Sequence, residues 1–341
     1  MPRSDIRLAL PSKGRMAQAS LDFLEGAGLR VHKPNPRQFE ATIPNLPELT
    51  VLFQRAGDIA VSVRDGSVDF GITGWDVVSE RRGENGSLLP MDRELGFSRC
   101  RLHVIVPEAW SEVDTMADLR ARSSGEDVVR VATKYPRLTR SFFRDHDFDS
   151  LSLIEAEGTL EAAPAIGYAD VIVDLVSTGT TLRDNRLKTL DDGLILESQA
   201  CLVGNRQALA QRPDVLEMGR LLLEYIEAHR RGSENVALFA NIRGESVSAV
   251  GDRVLAQDVI GGLQGPTLSP VVTRQGDSWY AVNVVVRRSE LSQAIDELRT
   301  IGGSGVVVTP VTYIFEEEPD SYRELLEALE QDAQLQGAAG S

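Results

Sequence analysis

The sequence predicts an α/β protein of two similar lobes followed by a small separate domain, on three observations. Short apolar runs alternate with amphipathic stretches through the first two thirds of the chain, the pattern of strands layered with helices. A Gly-x-x-Asp step precedes a buried apolar run twice, at Gly66-Ser67-Val68-Asp69 and at Gly167-Tyr168-Ala169-Asp170, a weak internal echo of two related lobes. The last third changes its rhythm to strand, helix, strand, strand, helix, strand. With 341 residues the chain has room for two or three domains and a cleft.

The elements follow in order. Ile6 to Leu10 reads as a strand, and Met16 to Leu24 as a helix closed by Gly26 and Gly28. Asp58 reads as the cap of a helix through Val63 that Gly66 ends, and Asp69 to Thr73 as a buried strand turning at Gly74. The apolar run Leu102 to Val106 leads through Pro107 into the second lobe. There Val128 to Thr133 reads as a strand, Pro136 opens a helix running towards Asp147, and Val171 to Val173 is a further strand. In the last third, strands at Asn235–Ile242, Leu268–Thr273, Trp279–Val286 and Gly305–Val311 interleave with helices at Ser246–Gln257 and Ser289–Ile301. That order, βαββαβ, is the ferredoxin-like, or ACT-like, unit. His229 to Ser233 reads as a linker, and Glu316 to Pro319 and the Gly/Ala-rich end as solvated segments. The expected division is 1–104 with 190–228 for the first lobe, 105–189 for the second, 229–319 for the third domain and 320–341 for a tail.

Composition narrows the function. With 42% hydrophobic and 26% charged residues the proportions are those of a folded globular protein. The net charge of −15 opposes nucleic-acid backbones, and no basic patch offsets it, so no nucleic-acid partner is expected. Small phosphorylated ligands stay compatible, because a few Lys, Arg and backbone N–H groups act at short range, with Mg2+ as counter-ion. Two cysteines, Cys100 and Cys201, give no disulfide framework, and they and the four histidines lack zinc spacing. No long apolar segment predicts a signal peptide or membrane span, and a cytoplasmic protein is expected.

The sharpest local feature is Asp174-Leu175-Val176-Ser177-Thr178-Gly179-Thr180-Thr181-Leu182, directly after the strand Val171 to Val173. Gly179 lets the backbone turn around an oxyanion, successive N–H groups form a nest, and Ser177, Thr178, Thr180 and Thr181 add neutral donors. Asp174 is placed to accept hydrogen bonds from ribose hydroxyls or to reach Mg2+ through a water. A Ser/Thr-rich helix cap is the plain alternative. The nucleoside-triphosphate loop ending Gly-Lys-Ser/Thr and the dinucleotide pattern Gly-x-Gly-x-x-Gly are both missing. Lys13, Gly14 and Arg15 form a second phosphate candidate at a strand-to-helix junction, with a solvated turn as the alternative.

From Glu161 onwards, E-A-A-P-A-I-G-Y-A-D-V-I-V-D-L-V-S-T-G-T-T-L resembles the signature of long-form ATP phosphoribosyltransferases, which open histidine biosynthesis. Ala9 to Arg15, Asp69 to Asp76, Cys100 to Leu102, Ala132 to Pro136 and Gly265-Pro266-Thr267-Leu268-Ser269-Pro270 are similar to other family segments, so the resemblance spans both lobes and the last domain. Ser12, between Pro11 and Lys13, and a longer stretch from Arg231 to Gly262 depart from the family pattern. The resemblance implies two catalytic lobes like type II periplasmic binding proteins. It also implies Mg2+-dependent transfer of phosphoribosyl from phosphoribosyl pyrophosphate to N1 of ATP, with release of pyrophosphate.

Carried over by position, Glu161 and Asp174 would serve catalysis. Asp174, Ser177, Thr178, Gly179, Thr180 and Thr181 would take phosphoribosyl pyrophosphate. Lys13, Gly14, Arg15, Arg55, Thr73, Gly74, Arg101, Lys134 and Tyr135 would form the ATP side. Feedback inhibition by histidine near Thr267 and Ser269, in a homo-oligomer between dimer and hexamer, is implied as well. Two rivals remain at this point: a transferase with another acceptor base, and a two-lobed sensor without catalysis.

Overall fold

In the computed structural model the chain forms two compact units, residues 1–25, 29–219 and 324–341 in one and residues 26–28 with 220–323 in the other. The structure describes residues 5–339 apart from 36, 37, 82, 84, 85, 124–127, 149, 150, 157, 159, 178 and 275–277, with side chains as far as 331.

The first unit begins with β1 (Ile6–Pro11), α1 (Arg15–Gly26), β2 (Glu40–Ile43), β3 (Leu46–Gln54), α2 (Ala56–Arg64), β4 (Phe70–Gly74), α3 (Trp75–Arg81) and β5 (Leu88–Asp92). The chain then builds β6 (Cys100–Pro107), α4 (Met116–Arg122), β7 (Val129–Thr133), α5 (Pro136–Asp145), β8 (Leu151–Glu155), β9 (Val171–Val176), α6 (Thr180–Asp184) and β10 (Leu187–Ser198). It returns through β11 (Ala200–Asn205) and α7 (Arg206–Gln211) to the long α8 (Pro213–Glu234). Two sheets result, β2-β3-β1-β4-β11-β5 in lobe I and β10-β6-β9-β7-β8 in lobe II. Within them β1 runs parallel with β3 and β4, and β7 with β8 and β9. This is the two-lobed α/β plan expected.

Lobe II is buried on both faces of its sheet, which explains why Val171-Ile172-Val173 reads as an unbroken apolar run. On one face Leu102, Val104, Val131, Val171 and Val173 pack with Met116 and Phe143. On the other, Ile105, Ile172 and Val176 pack with Leu182 of α6 and with Leu160 in the 3-10 turn Leu160–Ala162.

The Gly-x-x-Asp echo has a matching geometry in each lobe. Gly66 and Gly167 both have positive φ, 74° and 72°. In lobe I the Arg7 N–H donates to the Asp69 carboxylate at 2.8 Å while the Asp69 N–H returns to the Arg7 carbonyl at 3.1 Å. In lobe II the Arg130 N–H donates to Asp170 at 3.0 Å and the Asp170 N–H returns to the Arg130 carbonyl at 2.9 Å. Each Asp thus fastens the start of one central strand to the strand beside it.

Several local readings differ. The α2 helix starts at Ala56 with Arg55 as its flanking residue, so Asp58 lies in the first turn, where its charge meets the positive helix end, rather than at the cap. The joins expected at 104/105 and 189/190 fall inside β6 and β10, which pair with each other as strands of lobe II. His229 to Ser233 is not a linker but the last turns of α8. Gly232, which suggested a break, is there because a Cβ would lie 2.3 Å from the Thr312 carbonyl oxygen. Within the expected tail, Asp320–Ala339 forms a helix, and its opening N–H groups at Asp320 and Ser321 are accepted by the buried Glu227 carboxylate at 3.2 and 3.1 Å.

The second unit holds β12 (Asn235–Arg243), α9 (Val247–Leu255), β13 (Thr267–Val271), β14 (Trp279–Arg287), α10 (Leu291–Thr300) and β15 (Gly303–Pro310), with α11 (Asp320–Ala339) following. Its sheet has the order β13-β14-β12-β15, all pairs antiparallel, which is the ferredoxin-like arrangement. Alternate residues Val236, Leu238, Ala240 and Ile242 pack against Val250 and Val254 of α9 and Ala294 and Leu298 of α10. Phe239 and Val307, paired across β12 and β15, are 43% and 56% exposed on the other face. Among the described residues no helix is long and apolar enough to cross a membrane.

Candidate functional site

The β9 strand leaves the centre of lobe II at Val176 and turns through Ser177 and Gly179 into α6. Gly179 precedes the helix at φ 71°, the left-handed region that favours glycine, and among the described residues beyond its chain neighbours no atom lies within 4 Å of where its Cβ would stand. The loop therefore opens on free space. Ser177, Thr180 and Thr181 are exposed there, and Thr178 lies outside the described residues. Arg15, the first residue of α1 in lobe I, directs both Nη atoms at the Ser177 hydroxyl, each at 3.4 Å. Lys13 and Gly14 are exposed just before it, Gly14 at φ 78°. Ser12 continues the pairing of β1 with β3, its N–H donating to the Gln54 carbonyl at 2.7 Å, and so places this turn at the strand end.

Asp174 is partly buried, and the Leu175 N–H donates to its carboxylate at 2.8 Å. Burial raises its pKa above the usual carboxylate range. The Leu175 N–H and the Lys134 charge work against this, and the Glu161 and Asp76 charges add to it. Glu161, on the turn Leu160–Ala162, is thus close enough for its charge to be felt at Asp174.

A second carboxylate, not singled out from the sequence as a site residue, organises the cleft. Asp76 on α3 is 3% exposed and accepts the Tyr135 hydroxyl and the Ser198 hydroxyl, each at 2.6 Å. Its own N–H donates to Ser198 Oγ at 2.9 Å. One turn on, Glu80 accepts the Arg137 and Leu138 N–H groups at the start of α5, at 2.8 and 3.0 Å. Three residues expected on the ATP side support this cluster instead of lining open space. Tyr135 is buried with its hydroxyl given to Asp76, and burial followed by the Asp76 charge pushes its pKa up. Thr73 is fully buried and donates its hydroxyl to the Ala56 carbonyl at 2.9 Å. At Gly74 a Cβ would lie 2.3 Å from the Asp76 carboxylate, so the glycine makes room for it.

The open part of the cleft is a cavity of about 740 Å3 whose lining includes Trp75, Arg93, Arg99, Arg101 and Ser177. Arg93 stacks over the Trp75 ring at 4.6 Å. Cys100 lines it too, and its thiol pKa is pushed up to about 11, first by burial and then by Asp76. Arg93, Arg99 and Arg101 with Ser177 give the cavity donors for a ligand rich in phosphate, beside the carboxylates Glu94 and Glu197 in the same lining. Lys134, with Arg81, Thr133 and Glu155, lines a separate cavity of about 510 Å3. Arg55 is exposed at the start of α2 and lines neither. Sequence signals existed for Asp76, which ends the segment Asp69 to Asp76, and for Arg99, two residues before Arg101. Arg93 and Ser198 carried none.

Among the described residues there is no group of three or more His, Cys, Asp or Glu side chains that could hold a metal ion. Both cysteines are free. In the second unit Thr267 and Ser269 are exposed on the edge strand β13, opposite Asn283 and Ala281 of β14.

Comparison with known proteins places these features in context. The family model described as ATP phosphoribosyltransferase matches residues 55–226, and that described as HisG, C-terminal domain, matches residues 233–313. The chain is 42% identical over 335 residues to ATP phosphoribosyltransferase 2, chloroplastic, of Arabidopsis thaliana, covering 96% of this chain and 81% of that protein. It is 43% identical over 235 residues to ATP phosphoribosyltransferase of Chelativorans sp. (strain BNC1), covering 66% of this chain and 99% of the relative. Among solved structures, the ATP phosphoribosyl transferase (HisG:HisZ) complex from Thermotoga maritima shares the fold. There the TM-score is 0.51 and the identity 24%, over 65% of this chain and 98% of that one.

Proposed function

The chain belongs to the ATP phosphoribosyltransferase family, the pentosyltransferases that open histidine biosynthesis, and from that premise we propose how its residues share the reaction. Phosphoribosyl passes from phosphoribosyl pyrophosphate to N1 of ATP. The observation that carries this reading is the open loop from Ser177 to Thr181 at the end of β9, with Asp174 at its base and Arg15 at its mouth. The loop takes the 5-phosphate through its N–H groups and hydroxyls. Asp174 accepts the ribose hydroxyls. Adenine N1 has a free lone pair and the chemistry needs no strong base, so positioning and electrostatics dominate.

As the bond to pyrophosphate lengthens, C1 of the ribose becomes cationic and the leaving group anionic. Glu161 and Asp174 favour the first charge, and Lys13 and Arg15 the second. Arg93, Arg99 and Arg101 receive the triphosphate of ATP. Mg2+ is expected as the counter-ion that the diphosphate brings with it. Incubation with ATP, phosphoribosyl pyrophosphate and Mg2+ should yield pyrophosphate and phosphoribosyl-ATP; absence of both removes the reading, and product from another base supports a different acceptor.

Regulation is proposed on the second unit. Histidine bound near Thr267 and Ser269 inhibits turnover in a homo-oligomer of two to six chains, which requires free-energy coupling between effector and catalytic sites. Histidine that neither binds by calorimetry nor slows turnover would remove this part. The proposed setting is the cytoplasm, supported by two free cysteines and the lack of a disulfide among the described residues.

A further inference from the structure

His103 is a buried group that the reaction outlined above does not use. It lies on β6 directly opposite Asp174 of β9 in the antiparallel register, with the uncharged Leu194 of β10 opposite on its other side. Directly opposed residues share a face, with Cβ atoms about 4.5–5.5 Å apart. The packing agrees: Ile105 and Ile172, two residues along from each on the same face, sit in one apolar cluster with Val176. His103 is 8% exposed, and among the described residues its Nδ1 has no hydrogen-bond partner. A buried ring nitrogen left unpaired is unfavourable, and it invites a partner that becomes available only when the site is occupied.

The charges around the pair are few. Lys134 attracts a negative Asp174, whereas Glu161 and Asp76 oppose it, and the Tyr135 phenol lies within reach of its field. On His103 the charge that bears is Arg101, which with burial holds the ring's pKa below its ordinary value. The ring is therefore neutral at pH 7 and has one N–H to give. Leu160 and Leu182, which cover this face of the sheet, are apolar.

We propose that His103 is a positioning residue for Asp174: its ring N–H is the donor that holds the carboxylate ionised and turned to the ribose hydroxyls when phosphoribosyl pyrophosphate is bound. The inference rests on Asp174 being the ribose carboxylate.

The test is calorimetric titration of phosphoribosyl pyrophosphate with Mg2+ into the full-length protein between pH 5 and 8, for the native chain, His103→Phe, His103→Asn and Asp174→Asn. Binding needs the Asp174 anion, so native affinity falls as pH drops through its raised pKa. His103→Phe keeps the bulk and removes the donor, so the fall should begin about one pH unit higher. His103→Asn keeps a donor where Nδ1 stands and should restore the native profile. The ligand's own ionisation is common to all four titrations and cancels. An unmoved acid limb in His103→Phe, or a shift in His103→Asn as large as in His103→Phe, overturns the proposal. If Asp174→Asn instead binds like the native chain, the ribose assignment itself fails and takes the inference with it.

Discussion

Replacing Gly179 with valine isolates the loop's part in binding. At φ 71° an L side chain is strained by roughly 1–2 kcal/mol. Among the described residues beyond its chain neighbours no atom lies within 4 Å of the added Cβ, so that atom itself adds no collision. In a unit of this size the strain corresponds to a fall in melting temperature of roughly 2–8 °C. The binding cost is separate and larger, because the isopropyl group stands in the space the phosphate would fill. Losing one or two charge-assisted hydrogen bonds of about 1.5–3 kcal/mol each lowers affinity for phosphoribosyl pyrophosphate by roughly ten-fold to twenty-thousand-fold. Gly179→Asn is the control for strain, since Asn tolerates the left-handed region better than valine. Calorimetric Kd values and thermal melts on both variants separate the two effects. A valine variant that melts lower yet binds the ligand with native affinity would refute the loop assignment.

Three further outcomes are expected. Tyr135→Phe removes one of two hydroxyl donors to the buried Asp76 and should lower stability by about 1.5–3 kcal/mol in urea titration, more than its lost contact area explains. Arg101→Ala should raise the KM for ATP at least ten-fold, whereas Arg55→Ala, outside the cleft lining, should leave it within about two-fold; steady-state kinetics decides. Asp170, held below the usual carboxylate range chiefly by Arg130, contributes stability that is present above its unfolded pKa of about 3.9 and is lost as pH falls through its lower folded value. The difference in urea midpoint between the native chain and Asp170→Asn should therefore shrink as pH falls below about 4.

The parts legible in the sequence were those where one local cause decides the structure. The βαββαβ order is written in alternating periods, and Gly179 announces its own backbone angle. The less legible parts depend on partners far along the chain. Asp191-Asp192-Gly193 has the composition of a turn, yet it lies inside β10 as an irregular stretch. The Asp192 carboxylate accepts the Met116 N–H at 2.7 Å, and the Asp191 N–H donates to the Asp114 carbonyl at 2.8 Å, both from the segment around α4. Thr73 and Tyr135 sit in segments that match the family, but only the fold reveals that Ala56 and Asp76 take their hydroxyls. Arg93, Arg99 and Arg101 converge because β5 and β6 meet at the cleft, which spacing alone does not disclose.

The two passages of chain between the lobes run side by side. The Leu95 N–H donates to the Ala200 carbonyl at 3.1 Å, the Ala200 N–H returns to the Phe97 carbonyl at 3.0 Å, and β5 and β11 pair as antiparallel neighbours from Asp92 opposite Leu202. Lobe II is therefore an uninterrupted segment inserted at what would otherwise be a β-hairpin of lobe I. Its sheet can be excised as one piece, and the cut ends of lobe I can be rejoined by a short turn. Lobe I left by such a cut would keep Asp76 without the Tyr135 and Ser198 hydroxyls that pair it, so the two lobes depend on each other for the polar contacts of the cleft.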